Sequence, residues 1–145
     1  MYMYTNFFDE YCRWLIMMCM IIMLLGLWTL EVAQDYPQCN VIGMDIVPPN
    51  NNKDDKSGMS HKNIPSNVTY CYGDVLAPLK YKDEQFDYVY QRDIAHIMPM
   101  HKWPYLIKEF NRILRPGGQL ELVEYGKKRK NKTFFLLACV CVCDD

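Results

Sequence analysis

The sequence predicts an α/β domain built on a mostly parallel sheet with flanking helices. Two observations carry that prediction. The short apolar runs NVIGMDI, VTYCY, FDYVY and QLELVEY are each strand-sized and bounded by turn residues. Between them lie helical patterns or long crossovers, as expected where strands run parallel and are covered on both faces. A chain of 145 residues, half of them hydrophobic, suffices for one such domain and is short for a complete nucleotide-handling enzyme.

Taken in order, the first thirty residues hold six of the ten methionines and only three charges, Asp9, Glu10 and Arg13. The unbroken apolar run Trp14 to Leu30 would reach about 25 Å as a helix, marginal against a hydrocarbon core of about 30 Å. It lacks the basic flank and small-residue cleavage site of a secretory peptide. Residues 1–25 are therefore set apart as a hydrophobic N-terminal segment. LWTLEVAQDY has helical spacing at Leu27, Trp28, Leu30 and Val32, and Pro37 ends it. Val41 to Asp45 is expected as a strand, residues 47–67 as a long polar loop, and Val68 to Tyr72 and Phe86 to Tyr90 as further strands. Trp103, Leu106, Ile107, Phe110, Ile113 and Leu114 recur at i, i+3, i+4 and i+7 with Pro104 in the first turn, the clearest helix in the chain. Arg115, Pro116, Gly117 and Gly118 terminate it, and Gln119 to Val123 is the fourth strand. Residues 26–126 thus form the α/β core and residues 127–145 a basic, cysteine-containing tail.

Composition excludes several classes. Sixteen basic groups against 17 acidic ones argue against a strongly basic nucleic-acid binder and against an acidic disordered chain. No specific nucleic-acid partner is expected. Seven cysteines, three of them crowded at Cys139, Cys141 and Cys143, make no disulfide framework and favour a reducing, cytoplasmic setting. Anchoring to a membrane through residues 14–30 is the alternative. Those three cysteines lack zinc-site spacing and a fourth ligand, His61, His96 and His101 lack helical metal-site pairing, and no metal is expected. Lys127, Lys128, Arg129, Lys130 and Lys132 read as a solvated basic loop.

In an open parallel sheet the ligand lies outside the carboxyl ends of the strands. Asp45 closes one strand, 19 residues after Gly26, near the spacing at which a carboxylate accepts hydrogen bonds from ribose hydroxyls. Gly73 and Asp74 close the next, where a carboxylate can take a base amino group, although Gly-Asp also makes a simple turn. Two acids at the same end of neighbouring strands favour a nucleotide site.

GLWTLEVAQDYPQCNVIGMDI, GDVLAPLKYKDEQFDYVY and LIKEFNRILRPGGQLELVEY, about 100 residues in all, resemble consecutive pieces of a class I S-adenosylmethionine-dependent methyltransferase domain. The resemblance implies a Rossmann-like sheet, S-adenosylmethionine as cofactor and an unidentified methyl acceptor. It implies that Gly26 is the last glycine of the cofactor loop, that Asp45 binds ribose, and that Gly73, Asp74 and Val75 border adenine. Gln91, Arg92 and Asp93 then fall where the methionine end and the substrate lie, and Asp93 and His96 are the candidates for any proton transfer. The chain departs from the family in carrying Met20, Ile22 and Leu24 where an acid and two glycines belong. Only 19 residues follow Gly126, so the fold is expected to be incomplete at both ends, and cofactor binding weak. A nicotinamide-dependent oxidoreductase would share Asp45 but requires a G-x-G-x-x-G turn, which is absent. A catalytically inactive, membrane-anchored interaction protein with a Rossmann-like domain is the other reading. Oligomeric state is not legible.

Overall fold

The computed structural model describes residues 14–19, 25–48, 64–125 and 135–141. They form a six-stranded sheet of order β3-β2-β1-β4-β5-β6. The elements are β1 (Trp14–Cys19), α1 (Leu25–Asp35), β2 (Asn40–Asp45), β3 (Val68–Tyr72), β4 (Phe86–Arg92), α2 (Trp103–Ile113), β5 (Leu114–Tyr125) and β6 (Phe135–Cys141). Strands β1 to β5 are parallel, and β6 pairs antiparallel to β5 from Gln119↔Cys141 to Tyr125↔Phe135.

All four expected strands form. Val68–Tyr72 has the expected ends, while β4 runs on to Arg92 and β5 starts at Leu114. The stretch Trp14 to Leu30 is not a single helix. Trp14–Cys19 is a strand between β2 and β4, and the rest of the described run opens α1. Hydrophobicity could not separate these outcomes, because a strand with neighbours on both sides and helices on both faces is also an unbroken apolar run. Among the described residues no helix is long and apolar enough to cross a membrane. The sheet therefore draws on residues either side of 26–126, including Phe135–Cys141 of the tail. The basic run, Cys143 and His61 lie outside the described residues.

Each face of the sheet has its own core. On one, Leu106, Phe110 and Ile113 of α2 pack on Met44, Phe86, Val89 and Leu120. On the other, Val32 and Ala33 of α1 meet Val41, Tyr88 and Tyr90, with Trp28 against the Tyr90 ring at 4.1 Å. Strand β4 serves both and is buried from Phe86 through Gln91. Ile107, counted in the apolar stripe of α2, is 37% exposed, at the stripe's edge. Leu114, expected to end that helix, instead turns extended at ψ 136° while its N–H still bonds Phe110 O. The following Arg115–Gly118 is extra chain against β4, since Phe86 pairs Leu114 and Tyr88 already pairs Gln119. Gly117, at φ +73°, turns that excursion back, a conformation cheap only for glycine.

Asn67 fastens the far end of α1 to β3. Its Nδ2 donates toward Ala33 O at 3.0 Å, Tyr36 O at 3.3 Å and Cys39 O at 2.9 Å, carbonyls around the end of the helix, of which Tyr36 O also accepts the Cys39 N–H at 3.0 Å.

Candidate active site

Because β2, β3 and β4 are parallel, their carboxyl ends reach one edge of the sheet, and the acids that close them are brought together there. The Gly73 N–H donates to Asp45 O at 2.9 Å, tying the ends of β2 and β3. Asp45 is 7% exposed. Its Oδ1 accepts the Val47 N–H at 2.8 Å, and burial pushes its carboxyl above the ordinary carboxylate range, against the backbone N–H groups of Val47 and Ile46. Asp74 makes the same local bond, accepting Leu76 N–H at 2.8 Å, and its carbonyl accepts Ala77 N–H at 3.0 Å. Both aspartates thus brace the turn that follows their strand, and Val75 packs half-buried against the α2-side core.

A cleft of about 380 Å³ opens beside Asp74, lined by Met44, Cys71, Tyr72, Gly73, Leu79 and Tyr81 among others. Cys71 Sγ and Tyr81 Oη lie 3.0 Å apart, and burial pushes both groups up, so the cleft wall presents a neutral thiol and phenol. Arg112 holds the outer wall. Its five N–H donors reach Glu109 Oε1 (3.0 Å) and Oε2 (2.9 Å), Asp83 Oδ1 (2.7 Å), and the carbonyls of Leu79 (2.9 Å) and Tyr81 (2.8 Å). Glu109 Oε2 also accepts the Leu79 N–H at 3.0 Å.

At the end of β4, Gln91 is 0% exposed, and its Nε2 donates to Glu124 Oε1. Glu124, 7% exposed at the end of β5, further accepts Ile94 N–H at 3.0 Å on Oε1 and Ala95 N–H at 2.9 Å on Oε2. Asp93 takes φ +57°, donates its N–H to Val123 O at 2.9 Å, and pairs through Oδ2 with Arg92 Nε at 3.1 Å. His96 is exposed on the turn beyond. Gly26 falls in the first turn of α1, and residues 20–24 beside it lie outside the described residues.

Asp45, Gly73, Asp74, Gln91, Arg92 and Asp93 therefore share one edge, as the sequence reading expected. It missed Glu124 and the Arg112–Glu109 clamp. A glutamate closing the apolar alternation of QLELVEY was the available signal for Glu124. The available signal for Arg112 was Glu109 three positions upstream on the helix, while its partners Leu79, Tyr81 and Asp83 lie about 30 positions away.

Strand order, antiparallel last strand and acidic strand ends define a Rossmann-like fold of the S-adenosylmethionine-dependent methyltransferase class. The chain belongs to that class: residues 25–118 match the methyltransferase domain family. It is 33% identical over 100 residues to the secondary metabolism regulator laeA of Coprinopsis cinerea, covering 69% of this chain and 22% of that protein. It is 31% identical over 101 residues to the protein-methionine methyltransferase laeA of Emericella nidulans, covering 68% and 24%. The chain thus spans about a quarter of the curated relatives it matches. Its fold resembles an S-adenosylmethionine-dependent methyltransferase of Methanosarcina mazei, with TM-score 0.61, 19% identity and coverage of 88% of this chain and 59% of that one. It also resembles phosphoethanolamine N-methyltransferase 1 of Haemonchus contortus, solved with phosphoethanolamine and S-adenosylhomocysteine, with TM-score 0.59, 14% identity and coverage of 81% and 23%. S-adenosylmethionine is the cofactor of this class. The described residues fit it, since the strand edge offers a cleft beside Asp74 and buried carboxylates, Asp45 and Asp93, at two strand ends.

Proposed function

We propose that this domain binds S-adenosylmethionine along the edge formed by β2, β3 and β4 and transfers its methyl group to a thioether of a protein methionine. The observation that carries the reading is the convergence of Asp45, Asp74 and Gln91 at the ends of three parallel strands. Asp45 accepts from the ribose hydroxyls with the carboxylate that its bond to Val47 orients. Asp74 and Val75, beside Gly73, border the adenine. Gln91 and Arg92 stand at the methionine end, and Gly26 in the first turn of α1 closes the loop side.

The cofactor supplies a methyl group already activated on a sulfonium, so the chain's task is alignment and exclusion of water. A thioether acceptor carries no proton and asks for no base, which suits a site where Asp93 is committed to Arg92 and His96 stands exposed. The acceptor class is taken from the relative in Emericella nidulans, whose name states it.

Titration of the full chain with S-adenosylhomocysteine tests the site. Weak binding is expected, because the sequence carries Met20, Ile22 and Leu24 where the family has an acid and two glycines, and Met20→Asp, Ile22→Gly and Leu24→Gly together should strengthen it. In that background Asp45→Ala should cost more than Asp74→Ala. Two charge-assisted hydrogen bonds to ribose, each about 1.5 to 3 kcal/mol, outweigh one contact at the adenine edge. An Asp45→Ala affinity within about threefold of the parent removes Asp45 from the site. For the acceptor, methyl label should pass to a methionine peptide and not to its norleucine counterpart. Equal labelling of both removes the thioether reading.

A further inference from the structure

Tyr88, Gln119 and Glu121 put polar groups on the α1 face of the sheet, before the strand ends that form the cofactor edge. Tyr88 is buried in the α1-side core, yet its Oη donates to Glu121 Oε2. Leu120 and Leu122 belong to the core on the other face, as the alternation of a strand requires. Gln119 Oε1 is buried and has no hydrogen-bond partner among the described residues. As whole residues Gln119 and Glu121 are only half-buried, so an ion in solution can reach this part of the face.

The pairing of β5 with β6 adds two cysteines to the same place. In the antiparallel register Glu121 stands opposite Cys139, and Gln119 opposite Cys141. Residues directly opposite share a face with Cβ atoms about 4.5 to 5.5 Å apart, and residues two apart on one strand share it about 7 Å apart. The four positions therefore make a small rectangle on one face. Along the chain the cysteines alternate too closely for the usual zinc motif and lack further ligands. In a strand, one intervening residue is the spacing that keeps both on one face, and β5 supplies the carboxylate.

Two thiols and a carboxylate select the class of ligand. Magnesium and calcium take oxygen ligands, whereas zinc accepts thiolate and carboxylate together. With zinc–sulfur bonds of about 2.3 Å and zinc–oxygen bonds of about 2.0 to 2.2 Å, the ligand atoms lie within about 4 Å of one another, a span that side chains from such a rectangle can close. A carboxylate that binds a metal is ordinarily held by a hydrogen bond behind it, and Tyr88 gives one to Glu121.

We propose that Cys139, Cys141 and Glu121 bind one zinc ion across β5 and β6, with Tyr88 orienting the carboxylate and Gln119 Oε1 accepting from a water in the fourth position. Binding releases the two thiol protons to solvent and involves no change of oxidation state. The ion joins the antiparallel strand to the parallel sheet, and its site is independent of the cofactor reading.

The test titrates the full chain, metal-free and with its thiols reduced, with zinc against a chromophoric chelator and with cobalt(II) by absorption spectroscopy. One equivalent should bind, with a thiolate-to-cobalt charge-transfer band and the visible bands of a tetrahedral ion. Cys139→Ser and Cys141→Ser should each remove about half of that band at saturation and the double variant all of it, while Cys143→Ser leaves it unchanged. Tyr88→Phe should weaken zinc binding about tenfold or more, and Glu121→Gln, which keeps an acceptor for Tyr88, at least as much. Circular dichroism of the metal-free variants should match the wild type, and zinc should raise Tm of the wild-type chain but not of the double variant. Failure of the wild-type chain to bind an equivalent of zinc overturns the site. A charge-transfer band that survives in the double variant, or zinc affinity in Glu121→Gln within about threefold of the wild type, overturns it as well, since the metal would then be held without β6 or without β5.

Discussion

Replacing Arg112 with alanine removes a clamp that joins α2 to the segment lining the cleft, and the structure sets the expected cost. The contact to Asp83 counts for little, because that carboxylate is 75% exposed. The carbonyls of Leu79 and Tyr81 each lose a charged donor, worth about 1 kcal/mol apiece at a half-buried site. Glu109, only 13% exposed, keeps its bond from Leu79 N–H but loses a bidentate partner, adding about 1 kcal/mol. A destabilisation of about 3 kcal/mol is expected, lowering Tm by roughly 10 °C for a domain of this size. Arg112→Lys should recover less than half, since an ammonium cannot reach two carbonyls and a carboxylate in one plane. Urea unfolding followed by circular dichroism at several pH values is the assay. Arg112 holds Glu109 below its ordinary 4.5, against burial and with help from Leu79 N–H. A carboxylate depressed in the folded state contributes stability above its unfolded value and loses it as pH falls through the folded one. The wild-type advantage over Arg112→Ala should therefore be flat near neutrality and shrink below about 4.5. A loss under about 1 kcal/mol at neutral pH, or an advantage that grows on acidification, would refute the clamp.

Asp45 should show the opposite dependence. Burial raises its folded pKa, so the penalty of its charge is present at neutral pH and relieved as pH falls through that raised value; Asp45→Asn should raise Tm of the ligand-free chain while weakening S-adenosylhomocysteine binding, and a lowered Tm would contradict it. Asn67→Asp turns acceptors toward the carbonyls of Ala33, Tyr36 and Cys39 and should cost about 3 kcal/mol, more than the roughly 1 to 2 kcal/mol of Asn67→Ala, as read by thermal unfolding. Equal losses would mean that the carbonyls are satisfied without Asn67.

Local pattern alone located strands at Val41 to Asp45, Val68–Tyr72 and Phe86 to Tyr90 and the helix from Trp103, to within two residues of where they form, because apolar periodicity and turn residues act within a few positions of one another. That Asp45 and Asp74 lie on a common edge was legible for the same reason: one ends β2, the other closely follows β3, and parallel strands end on one edge. Trp14–Cys19 was not, since an apolar run without alternation suits a buried strand and a helix equally, and only its neighbours β2 and β4 decide between them. Phe135–Cys141 likewise depends on the open edge of β5 to pair with. Glu124 and Gln91 are 33 positions apart, and Arg112 and Leu79 are equally distant. Their roles exist only once the sheet brings strand ends together and α2 packs beside the segment after β3, since such hydrogen bonds report distance in space, which spacing along the chain does not encode.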